Sequence, residues 1–80
     1  MRLTYDPRHS IAYIRLRERA ETEDVETIVV SDEVNIDIGA DGRLFGIELL
    51  NANVQLQAAD SGRLVVVDSS GQEQAISLAT

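Results

Sequence analysis

Apolar residues recur at every second position over most of this 80-residue chain, and that period leaves little choice but antiparallel strands with one dry face. In IAYIRLR (11–17), Ala12, Ile14 and Leu16 share one side, with Ile11, Tyr13, Arg15 and Arg17 opposite. In VNIDI, Val34, Ile36 and Ile38 alternate with Asn35 and Asp37, and after a turn Phe45, Ile47 and Leu49 share a face opposed by Gly46 and Glu48. VQLQA (54–58) alternates again, Val54, Leu56 and Ala58 against Gln55 and Gln57.

Turn residues fall between these stretches. Asp6-Pro7 opens a turn after RLTY, proline presetting its own φ. Gly39 and Asp41-Gly42 join two strand patterns through a short loop, a hairpin signature, and Asp6, Pro7, Asp41, Gly42 and Gly46 are assigned as structural turn residues. Ser61-Gly62 and Ser70-Gly71 precede RLVVV (63–67) and QAISL (74–78). Strands are expected near 2–5, 11–17, 27–31, 33–38, 43–50, 54–58, 63–67 and 74–78. RERAETEDVET (17–27) has no apolar stripe and reads as a charged connection rather than a helix. The expected fold is all-β: one domain, a small antiparallel meander of about six to eight short strands, curled or closed into a partly open barrel.

DIGADGRLFGIE (37–48) also overlies a calcium loop, with Asp37, Asp41, Gly42 and Glu48 at positions one, five, six and twelve. Position three is Gly39, which has no ligand oxygen, and the flanks EVNID and IELLN are strand-like where helices are needed. The stretch is therefore read as a hairpin. Asp37 and Glu48 are expected on its solvated side, with Arg15 or Arg17 from a neighbouring strand between them.

Composition narrows the function classes. The chain has no cysteine, hence no disulfide or thiolate metal site, which fits a reducing cytosol. MRLTYDPRH lacks the apolar run of a signal peptide, and nothing approaches eighteen unbroken apolar residues, so a soluble cytoplasmic protein without membrane contact is expected. Seven Arg against fourteen acidic residues leave a net charge of −7, which repels nucleic-acid phosphates and either favours a basic partner or simply keeps the protein soluble. The densest basic stretch, YIRLRER (13–19), runs into ETEDVE (21–26), cancelling its field within about 8–10 Å. Tyr13, Arg15 and Arg17 on one strand face are the arrangement closest to a nucleic-acid platform, and they read better as a polar face. His9 lies in a turn beside Ser10, adjacent positions whose side chains diverge, and no carboxylate pair is marked out as acid and base. No enzyme activity, cofactor or metal is expected.

YDPRHSIAYIRL (5–16), an acidic connection, and then DGRLFGIELLNA (41–52) together resemble a family of small bacterial proteins, domain of unknown function 2283. The matching positions are Tyr5, Asp6, Pro7, Ala12, Tyr13, Ile14 and Leu16, then Asp41, Gly42, Gly46, Ile47, Glu48, Leu49, Leu50 and Ala52. Gly39 stands where the family pattern often has an Asp. The resemblance covers 1–52 as a family-like core and leaves 53–80 as a C-terminal strand extension. It implies a β-rich module without catalytic residues, and for some members an antitoxin role beside basic RelE/ParE-type toxins.

The reading that follows is a non-enzymatic, antitoxin-like binding module that occludes a small basic toxin, using the acidic loop 18–26 and the C-terminal strands. Glu21, Glu23, Asp24 and Glu26 are the candidate partner-binding charges. The alternative is a structural homo-oligomer paired through its strands, suggested by VVV (65–67), whose adjacent β-branched residues want both strand faces covered.

Overall fold

The computed structural model describes residues 1–20, 22–57 and 62–78 of the protein. The chain is mostly β. Seven strands are formed among the described residues: β1 (Arg2–Asp6), β2 (Ile11–Arg15), β3 (Val25–Ser31), β4 (Val34–Gly39), β5 (Leu44–Leu50), β6 (Arg63–Val67) and β7 (Glu73–Ser77). The first five make one antiparallel sheet in the order β1-β2-β5-β4-β3, and β6-β7 make a separate hairpin. The large sheet stays open, with β1 and β3 as its edges.

Because paired residues in an antiparallel ladder point to the same side, the register defines the two faces. One row crosses all five strands: Leu3, Ile14, Ile47, Ile36 and Ile28. The next row on that face is Tyr5, Ala12, Leu49 and Val34. The opposite face carries Thr4, Tyr13, Glu48, Asn35 and Val29 in one row, and Arg2, Arg15, Gly46, Asp37 and Thr27 in the other. The period-two reading of 11–17, 34–38 and 45–49 is thus realised as an apolar side and a polar side over Ile11–Arg15, Val34–Ile38 and 46–49, with Phe45 set apart by a bulge.

The stretch 54–58, expected as a strand, departs from that reading: its described part lies in a short helix, α1 (Ala52–Gln57). Ala, Leu and Gln are good helix formers, and the helix start is fixed from far away. The Ser10 hydroxyl accepts a hydrogen bond from the Asn53 backbone N–H at 3.0 Å, and the Ser10 carbonyl accepts one from Ala52 N–H at 2.8 Å. Tyr5 donates its hydroxyl to Asn53 Oδ1 at 2.5 Å, and Asn53 Nδ2 donates to the Pro7 carbonyl at 2.9 Å. Ala52 and Ala12 are both fully buried, so two methyl groups set how closely α1 approaches β2.

Beyond these alanines, Phe45 is the one large apolar side chain in the buried core among the described residues, at 8% exposure. The β4–β5 register slips between Asp37 and Ile38, leaving Phe45 unmatched on β4 as a bulge residue, while its carbonyl accepts from Leu16 N–H at 2.9 Å. Tyr5 is half-buried.

Candidate interaction surfaces

The β4–β5 hairpin forms as the sequence indicates. Gly42 adopts φ +81°, a conformation natural to glycine, and its N–H donates to the Gly39 carbonyl at 2.9 Å. Asp41 accepts from Arg43 N–H at 2.9 Å and from Arg17 Nη2 at 3.1 Å. Asp37 lies on the polar sheet face and is engaged there, so the carboxylates of the calcium-like pattern are turned to different partners. Asp6 and Pro7 do lie at the β1–β2 turn, where Asp6 accepts from Arg8 N–H and its second oxygen lies 2.6 Å from His9 Nδ1.

Gly46, expected as a turn residue, is a strand residue instead. It sits inside β5, buried, with the Tyr13 ring lying across it where a Cβ would stand. The absent side chain lets Tyr13 reach diagonally and donate its hydroxyl to Asp37 Oδ2 at 2.6 Å. Thr27 donates to Asp37 Oδ1 at 2.6 Å, and Asn35 Nδ2 donates to Glu48 Oε1 at 2.9 Å. Burial, then the Asp37 hydrogen bond and the charges of Asp37 and Glu48, push the Tyr13 phenol up to about 12.

The arginines do not sit between Asp37 and Glu48 as expected. Neutral donors satisfy both carboxylates, which separates them without a fixed countercharge. Arg15 pairs instead with Glu18 at 2.9 Å, and Arg17 bridges Glu23 at 2.8 Å and Asp41 at 3.1 Å. Those three side chains close over Gly39, where any Cβ would run into them.

Of the proposed partner-binding acids, Glu21 lies outside the described residues. Glu23 is drawn inward by Arg17 and keeps only 15% side-chain exposure, so it is spent on holding the connection against the β4–β5 turn. Asp24 and Glu26 remain exposed, Glu26 being paired with Ile38 along β3.

The sequence reading missed what lies between those acids and the next ones. β3 is an edge strand of 7 residues, and Ile28, Val29 and Val30 are exposed at 39%, 72% and 58%. Asp24 and Glu26 stand at its start, and Asp32 and Glu33 follow at the β3–β4 turn. A signal was available in the acid–IVVS–acid order of 24–33, an apolar centre between carboxylate flanks. The other edge, β1, is shorter, charged at both ends and terminated by Pro7. In the C-terminal hairpin, Val66 and Val67 are 49% and 58% exposed, so the chain itself does not cover both faces of VVV.

No described helix is long and apolar enough to cross a membrane. Comparison with curated proteins and with solved structures yields no match. The sequence model of a family described as proteins of unknown function, DUF2283, matches residues 2–53, a span that begins with β1 and ends just inside α1. The matched span thus contains the five-stranded sheet together with Tyr13, Gly46 and the Ser10–Asn53 contact that starts the helix, and the chain belongs to the DUF2283 family.

Proposed function

We propose that this chain is a non-enzymatic protein-binding module, acting in the cytoplasm, that offers the β3 edge to a basic partner. The exposed edge carries this reading. A strand of 7 residues with unpaired backbone groups along one side, an apolar centre and carboxylates at both ends suits a cationic segment that adds as a further strand. Main-chain hydrogen bonds would supply affinity, while the net charge of −7 would speed encounter and disfavour acidic competitors.

The partner we infer is a small basic toxin of the RelE/ParE type, occluded sterically, as the family resemblance implies for some members. Among the described candidate acids of the connection the working charges are Asp24 and Glu26, because Glu23 is already engaged by Arg17.

Co-expression with the adjacent open reading frames, followed by light scattering on what co-purifies, tests this. A stoichiometric complex with a basic neighbour is expected. Reversing Asp24 and Glu26 to lysine should weaken it roughly 10- to 100-fold at low salt, with much less difference at high salt. Binding indifferent to both changes contradicts the reading.

A further inference from the structure

Among the described residues, the apolar face of the five-stranded sheet is not sealed by a second layer. Leu3, Ile14, Ile47 and Ile36 lie in one row across the middle of the sheet, and all four are only half-buried. At the margins of this face, Ile28 and Leu16 are 39% and 37% exposed. A sheet normally buries one face against a second layer. Here α1, of 6 residues, covers one end of the face, from Tyr5 on β1 past Ala12 to the Glu33 carbonyl at the β3–β4 turn, and leaves the row of Leu3, Ile14, Ile47 and Ile36 half-buried.

Size makes the deficit quantitative. A folded monomer of 8.8 kDa is expected to expose about 4,800 Å², whereas this chain exposes 5874 Å², about 1,100 Å² more. The radius of gyration is 14.1 Å where a compact chain of this length has about 11.6 Å. The excess is shared with the exposed C-terminal hairpin, and it matches the scale of about 800 Å² per partner buried in a standard interface.

We propose that a second copy of this chain packs on the open face, two sheets meeting as a sandwich about 10 Å apart. Charge selects that occupant. Within the strands, Glu26 is the charged residue on this face and stands at its β3 rim, while Arg2, Asp6, Arg15, Asp37 and Glu48 point to the other side. A basic partner finds no row of carboxylates here. Two acidic copies can meet on it without opposing their charges, and an uncharged apolar row is self-complementary, as a twofold contact requires. The inference goes beyond the edge-strand reading and stands without it.

Sedimentation of the purified full chain, from low micromolar to submillimolar concentration, tests the proposal. The wild type should be dimeric. Ile28→Glu and Leu16→Glu, at already exposed positions on the face, should each weaken the dimer roughly 100-fold or more, because every substitution counts twice and buries an unpaired charge. Val29→Glu, next to Ile28 but on the opposite face, should leave association unchanged. Circular dichroism matching the wild type establishes that each variant is folded. A monomer throughout, association that survives both face variants, or association lost only in Val29→Glu overturns the proposal. The chain is measured alone, so neither result depends on whether a basic partner binds the β3 edge.

Discussion

Replacing Phe45 by alanine is expected to cost about 3–4 kcal/mol, measured as a shift of the urea unfolding midpoint at unchanged slope. The size of this loss follows from how little else fills the core. Ala12 and Ala52 contribute only methyl groups, and the isoleucines and leucines of the sheet remain half-buried. A domain of 80 residues has roughly 4–12 kcal/mol in total, so this single loss removes between about a quarter and nearly all of the stability. Phe45→Leu keeps most of the volume and should cost about 1 kcal/mol. Equal, small effects from both substitutions would show that the bulge does not anchor the sheet.

The second large effect belongs to Gly46→Ala. A methyl group there occupies the space of the Tyr13 ring, so the ring must swing out and give up its bond to Asp37. We expect a loss of about 2–3 kcal/mol, or about 10–20 °C in melting temperature. The same displacement has an optical signature. In the wild type burial and the Asp37 hydrogen bond push the Tyr13 phenol up to about 12 from its ordinary value of 10.0. A folded-state value raised in this way stabilises the fold fully below about pH 10, and that stabilisation disappears as pH rises towards about 12. In Gly46→Ala, absorbance at the phenolate band should show this tyrosine ionising at lower pH. Tyr13→Ala combined with Gly46→Ala should lose less than the sum of the two single changes, because the clash then has no ring to act on. Additive losses would contradict the cross-strand contact.

Strand positions were legible because the side-chain period is two wherever one face is apolar, and Asp41-Gly42 marked the hairpin that sets the β4–β5 register. What escaped depended on register or on long-range contact. Gly46 looked like another turn glycine until its partners across the sheet were known, since only the pairing of Arg15 with Gly46 and Tyr13 with Glu48 brings the ring over it. VQLQA alternates over too short a run to separate strand from helix, and the hydroxyl that starts the helix comes from Ser10, 43 positions away. Glu23 resembled its acidic neighbours in sequence, yet the Arg17 guanidinium takes it out of play. The open face had a sequence-level clue: no long stretch carries apolar residues at helical spacing, and the one helix among the described residues, α1, has only 6 residues with which to build a second layer.

The proposed function requires β3 to be a docking edge. Amide hydrogen exchange on the co-purified complex, compared with the free chain, tests that most directly. Strand addition should protect the outward-facing amides of Val25–Ser31 while leaving β1 unchanged. Unchanged exchange along β3 in a complex that is stoichiometric and intact would contradict it.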